Sequence, residues 1–253
     1  MEFKEDEVLK KYLDLYEKHV KGFIPDMDMT DKTLRYVRFN DAWRGLEPFE
    51  RFLIPRLTNK KNTFPKKPLN KLSKNANPDN YVTLKYDLEG RLIQTFYPDY
   101  YNCYVSKNLT VSLRYDKDDK AFEPIEFFWY EYDEDDRIIS AEQFFGSGRS
   151  GDDFKYWGEF YEYSEDHLET VWRFNEYQRY PMKMTVSMIL NIMPDRLCFP
   201  DRYKYTFSKD GDGLKYICEH YYRKSQTLTH EDHVSKETLL HLKENGLCLV
   251  KDL

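Results

Sequence analysis

Between Tyr81 and Glu176 the chain carries 24 aromatic residues in 96, and many of them fall at every second position. Phe128, Tyr130 and Tyr132 share one parity, as do Trp157, Tyr161 and Tyr163, while Tyr203, Tyr205 and Phe207 alternate with Lys204, Thr206 and Ser208. Successive side chains of an extended strand point to opposite faces, so a period of two gathers rings on one face. That pattern excludes a helical bundle for this stretch and predicts strands held together by aromatic cross-strand pairs.

The links between these strands also repeat. Lys85-Tyr86-Asp87-Leu88-Glu89-Gly90-Arg91-Leu92-Ile93 has the frame of Glu131-Tyr132-Asp133-Glu134-Asp135-Asp136-Arg137-Ile138-Ile139: an aromatic strand end, four turn residues, an arginine and two apolar residues. An Asp or Ser just past a strand bonds the nearby backbone to start a turn, and Gly or Asp at the far corner tolerates positive φ. Each copy therefore predicts a hairpin. Weaker copies begin at Tyr115, Tyr163 and Phe207, and their uneven spacing excludes a strict solenoid or propeller. Consecutive hairpins make an antiparallel meander.

Outside the meander the spacing becomes helical. Val8, Tyr12, Leu15, Tyr16 and His19 mark an amphipathic helix within residues 4–21, with Gly22 as its stop. Leu34, Tyr36, Val37, Phe39, Trp43 and Leu46, then Phe49 to Ile54 between Pro48 and Pro55, predict one or two further short helices, so residues 1–58 read as a helical cap. Residues 59–80 read as a basic linker or loop, since 59–78 hold six lysines and no acid. Residues 81–253 form the sheet region. Within it the apolar run Met182 to Met193 reads as core. Ser235 to Asn245 reads as a helix capped by Ser235, with Leu239, Leu240 and Leu242 on its apolar side, and Leu247, Leu249 and Val250 as a last strand. The expected fold is α+β: N-terminal helices packed on a large antiparallel β-meander with a C-terminal helix, in one integrated domain.

Charge narrows the partners. Lys+Arg 39 against Asp+Glu 45 gives −6, and residues 81–176 alone hold 22 acids and 10 bases, or −12. Such a surface repels phosphate, so nucleic acid and anionic membrane are not expected partners, whereas a basic protein is. No apolar stretch approaches 18 residues, and Met1 to Glu7 lacks the basic and apolar regions of a signal peptide, so a cytoplasmic, reducing location is expected. Cys103, Cys198, Cys218 and Cys248 show no paired spacing and read as isolated small hydrophobes.

Motifs for chemistry are sparse. The glycine-rich Gly146-Ser147-Gly148-Arg149-Ser150-Gly151 lacks the lysine of a phosphate loop, and neither a nucleophile elbow nor H-E-x-x-H occurs. Cys218, His220, His230 and His233 are the one metal-like set, with Cys218 and His220 on one strand face and two imidazoles three apart. A metal-dependent enzyme built on them is an alternative reading. Zinc sites favour tighter, more regular pairs, so no metal or other cofactor is expected. Carboxylate pairs in solvated turns keep ordinary pKa values and do not suit acid/base work, so no catalytic residue is assigned.

The frame Tyr-Asp-x-x-Gly-Arg-Leu, intact at Tyr86 to Leu92 and with Asp for Gly at Tyr132 to Ile138, resembles the YD-repeat unit of Rhs-type proteins. It is similar to hairpin repeats of small proteins encoded beside polymorphic toxins. The resemblance covers Tyr81 to Arg223; its copies are few, and a helical N-terminus stands where a long toxin-enclosing array would be. It implies an immunity protein, a cytoplasmic antitoxin that binds one cognate, basic toxin and blocks its active site without chemistry of its own. The acidic turns and nearby tryptophans then supply the expected contacts: Asp116, Asp118, Asp119, Asp133, Glu134, Asp135, Asp136, Asp152 and Asp153, with Trp129 and Trp157 as anchors. A carbohydrate- or peptide-binding sheet, its tryptophans stacked in an exposed row, is the other alternative.

Overall fold

The computed structural model describes residues 4–30, 32–38, 52–57, 68–97, 100–117, 120–145, 155–178, 201–222, 225–244 and 249–251. The Met182 to Met193 run and the glycine-rich segment 146–151 lie outside the described residues. Among the described residues twelve antiparallel strands follow one another in chain order across the sheet. They are β1 (Thr33–Arg38), β2 (Tyr81–Tyr86), β3 (Leu92–Phe96), β4 (Tyr100–Ser106), β5 (Leu109–Asp116), β6 (Ala121–Tyr132), β7 (Ile138–Phe145), β8 (Lys155–Tyr163), β9 (Leu168–Gln178), β10 (Asp201–Asp210), β11 (Gly213–Tyr222) and β12 (Ser225–Val234). Among the described residues the α-helices are α1 (Glu5–Leu15), which runs into a π turn at Tyr16–Val20, α2 (Ile54–Leu57) and α3 (Lys236–Glu244). The class is α+β, as the alternation and hairpin turns predict. Among the described residues no helix is long and apolar enough to cross a membrane.

One sequence expectation fails near the N-terminus. Leu34 to Val37 lie in strand β1, not a helix, paired residue for residue with β2 from Thr33↔Tyr86 to Arg38↔Tyr81. Thr33-Leu34-Arg35-Tyr36-Val37-Arg38 shows no clean period of two, its arginines being three apart, but it holds Thr, Tyr and Val, which favour strands, and a partner strand far along the chain decides in favour of β structure. The described part of the basic stretch, residues 68–80, is loop with one turn of 3-10 helix at Pro78–Asn80, and it touches the sheet at one point. Leu69 exchanges both backbone hydrogen bonds with Tyr36, at 2.9 and 2.8 Å, and so extends the ladder beyond β1.

The chain divides into two compact units, Leu15–Arg51 with Lys60–Phe128, and Met1–Asp14 with Phe52–Asn59 and Trp129–Leu253. In the first, Val37, Val82, Leu84 and Leu92 form a core with Tyr86, Tyr97 and Tyr104 packed against it. The ammonium of Lys85, fully buried, donates to the Asp26 carbonyl at 2.6 Å and to Gln94 Oε1 at 3.3 Å. Gln94 in turn donates to Cys103 Sγ, and burial pushes the Cys103 thiol up to about 11.

In the second unit, register sorts side chains cleanly between the two faces of the sheet. Glu142 faces Gly158 and Phe144 faces Tyr156 across β7 and β8, whereas Ala141 faces Glu159 on the reverse side. Helix α1 covers the first face: Tyr12 packs 6.1 Å from Phe144, and Lys11 donates to Glu131 at 2.8 Å and to the buried Glu142. Gly158 is required there, because a Cβ on it would lie 2.3 Å from the Tyr156 hydroxyl, which reaches across to donate to Glu142 at 2.9 Å. Helix α2 sits on the reverse face. Glu159 accepts the Leu53 and Ile54 amides at 2.7 and 3.2 Å, the Tyr161 hydroxyl at 2.7 Å and Arg173 at 2.6 Å. Helix α3 begins as expected, with the Ser235 hydroxyl accepting the Thr238 amide at 3.2 Å. Leu239 and Leu242 are buried, but Leu240 is 39% exposed, contrary to its expected place on the apolar side.

Candidate functional site

The two clear copies of the turn frame fold alike. Asp87 accepts the Arg91 amide at 2.8 Å and Arg91 Nε at 2.7 Å; Asp133 accepts the Arg137 amide and Nε at the same two distances. The corner residues, Gly90 and Asp136, take φ +79° and +66° and donate their amides to the first Asp carbonyl at 3.1 Å in both turns. Asp and Arg thus form a clamp across the turn, and Gly or Asp supplies the left-handed corner. Burial works against the charged Asp133, yet the Arg137 amide and guanidinium outweigh it and hold the carboxyl below the usual range.

The second copy differs in what its arginine touches. The guanidinium carbon of Arg137 lies 4.8 Å over the ring of Tyr163, whose own turn follows β8. That turn closes through Ser164 N–H donating to the His167 carbonyl at 3.0 Å, and the C-terminal segment then pairs with it: Leu168 N–H donates to Leu249, and Lys251 N–H to Asp166. Where a last strand was expected, Val250 forms only an isolated bridge with His167, and Leu247 lies outside the described residues. Between the two turns lies a concavity of about 270 Å³, walled by Tyr163 and Leu249, with Asp135, Glu165 and Lys251 among the charged residues at its margin.

The charges at this edge are unequal in availability. Asp166 binds Lys209 at 2.5 Å and His167 Nδ1 at 2.6 Å, and these contacts hold its carboxyl far below the usual range. Ser164 Oγ lies 2.9 Å from the same Nδ1. A serine activated through a histidine needs hydroxyl and carboxylate on opposite ring nitrogens, so this trio is a turn lock and not a proton relay. Asp135 is 78% exposed with Arg137 Nη2 at 3.5 Å, and Glu134, Asp136 and Glu165 are exposed.

The other expected contacts are dispersed. Asp116 is half-buried at the end of β5, in the first unit. Trp129 is half-buried, donating Nε1 to Glu131 at 3.3 Å, and Trp157 is half-buried against Phe145 at 5.3 Å. Asp118, Asp119, Asp152 and Asp153 lie outside the described residues. Tyr163, Glu165 and Lys251 were not among the expected contacts, although the weak turn copy at Tyr163 was the signal that could have found the first two.

The alternative sites do not assemble. Cys218 and His230 face each other across β11 and β12, but His233 faces Lys215, one parity away and thus on the opposite face. His220 stacks on Tyr203 at 4.4 Å, His230 meets Asp232 at 3.6 Å and His233 meets Asp210 at 3.0 Å. Among the described residues no three of His, Cys, Asp and Glu are placed to hold a metal ion. Nor do the described tryptophans form a row. Trp172 faces Phe160 and stands on the α1 side of the sheet, beneath Lys204 at 5.7 Å, whereas Trp157 shares the α2 side with Glu159.

Compared with known families, curated proteins and solved structures, the chain matches none.

Proposed function

We propose that this protein is a non-catalytic binder that docks a basic macromolecule against the edge formed by the Tyr132–Ile138 and Tyr163–Leu168 turns, acting as an immunity protein toward a toxin. The observation that carries the reading is the meeting of two acidic turns at one concavity. Asp135 and Glu165 stand exposed at its margin and Glu134 is exposed on the same turn as Asp135, while the carboxylates that fix the turns, Asp133 and Asp166, are bound to Arg137 and Lys209. Internal clamps hold the loop backbone, so the outer carboxylates are presented with little ordering to lose on binding. Tyr163 adds an aromatic wall of the kind interfaces favour, and the field of clustered carboxylates speeds encounter with a cationic surface.

The test is association with a basic toxin domain encoded next to the gene for this chain, and a locus without such a neighbour removes the immunity reading at once. Glu134→Lys, Asp135→Lys and Glu165→Lys together should slow association roughly tenfold at low salt and flatten its salt dependence, with Asp133 and Asp166 left to hold the turns. Unchanged association kinetics and unchanged inhibition would remove the proposal.

A further inference from the structure

A second feature, independent of the acidic edge, lies in the unit of residues Leu15–Arg51 and Lys60–Phe128. Register places Thr95 opposite Asn102 and Asn102 opposite Ser112 on neighbouring strands β3, β4 and β5. Thr110 lies two residues from Ser112 and therefore on the same face. Leu84 faces Thr95 from β2 and Tyr104 faces Thr110 from β4, so the row is polar beside apolar and aromatic neighbours there. Thr95, Thr110 and Ser112 are 0%, 1% and 1% exposed.

Its members are not equally satisfied. Ser112 Oγ donates to Glu126 Oε1 at 3.0 Å, which closes one end. Thr95 Oγ1, Thr110 Oγ1 and Asn102 Oδ1 are shielded from solvent and have no hydrogen-bond partner. A buried hydroxyl or amide without a partner costs on the order of 1–3 kcal/mol, so three in one patch are not tolerated as isolated defects. Facing side chains of a ladder stand roughly 5 Å apart at Cβ. Thr95 and Asn102 face one another with no hydrogen bond between them, a pairing that a bridging molecule able both to donate and to accept would complete.

We infer that this face of β3, β4 and β5 is an internal hydration site, in which water bridges Thr95 Oγ1 to Asn102 Oδ1 and completes the bonding of Thr110 Oγ1. Water fits the chemistry better than a larger guest, because Thr95 and Thr110 leave almost no surface open to solvent and their hydroxyls accept either hydrogen-bond role. The site belongs to the scaffold and does not depend on what the acidic edge binds.

Valine has nearly the shape of threonine without its hydroxyl, so it separates a wetted site from a dry one. Thr95→Val and Thr110→Val should each lower Tm by about 3 °C, as loss of a water-mediated bond requires, and Thr95→Ser should restore part of the loss. The direct measurement is water–protein NOE transfer to the Thr95 and Thr110 methyl groups in the unaltered chain, with the sign of a water held for longer than about a nanosecond. Absence of those NOEs, or valine variants at least as stable as the parent, would overturn the assignment. If a variant fails to fold, the NOE experiment on the parent still decides it.

Discussion

Glu142 and Glu159 stand on adjacent strands and point to opposite faces of the sheet. Each anchors a helix, but they do so by different means. Glu142 meets α1 through the side chain of Lys11, which is itself 30% exposed. Glu159 meets α2 through the backbone amides of Leu53 and Ile54, with Arg173 and Tyr161 completing its shell. Burial pushes both carboxyls above the ordinary glutamate value, against the pull of Lys11 in one case and Arg173 in the other. Lys11 is drawn down by burial but held above its usual value by Glu142 and Glu131. A backbone amide has no rotamers to freeze and no net charge to desolvate; a lysine ammonium has both. The α2 anchor is a fixed cap, and the α1 anchor is a clamp that depends on charge.

That contrast can be broken most forcefully at Glu159. Glu159→Ala leaves Arg173, the Tyr161 hydroxyl and two amides without their acceptor, and should cost about 4 kcal/mol in urea unfolding. A loss below about 1 kcal/mol would mean that α2 docks without it. Gly158→Ala strikes the other anchor by pushing the Tyr156 hydroxyl away from Glu142, at about 2 kcal/mol, and Gly158→Ala with Tyr156→Phe should recover part of that loss in a double-mutant cycle. Lys11→Met should cost less, about 1 kcal/mol at neutral pH, because the lysine is partly solvated and an unpartnered Glu142 takes up a proton.

The smallest effect gives the sharpest test. A carboxyl whose folded pKa is raised binds its proton more tightly in the folded state, so its contribution is greatest below the unfolded value near 4.3 and declines as pH rises through the folded value. The penalty of Glu142→Gln should therefore shrink between pH 4.5 and pH 7.5, by a few tenths to about 1 kcal/mol in paired denaturation curves. A penalty that grows with pH would show that the attraction to Lys11 exceeds the cost of burial.

What the sequence revealed was local. The Asp–Arg clamp closes over four positions, so Asp87/Arg91 and Asp133/Arg137 could be read as turns from their spacing, down to the Gly or Asp corner. Period two was equally readable, because a strand's two faces are fixed by its own backbone. Glu142 and Glu159 gave no such signal. They look like two more acids of an acidic segment, and only helices from distant parts of the chain make them buried. The same reason hid β1, whose partner strand begins at Tyr81, and the third wall of the acidic edge, where the 249–251 segment joins Asp166 and Leu168. Asp133 was expected at the partner surface; its role in the turn was legible, but its commitment to Arg137 was not.

The order of the strands bears on how this molecule is made. From β2 to β9 each strand pairs with one that follows closely in the chain, so these hairpins can close as synthesis proceeds, whereas β1 waits for β2. The largest loops to be closed are those of the two helices, since Lys11 lies 131 positions from Glu142 and Leu53 lies 106 from Glu159. Closure entropy makes such contacts late arrivals. The buried glutamates must therefore wait, already installed in a nascent sheet, for α1 and α2 to lock over them.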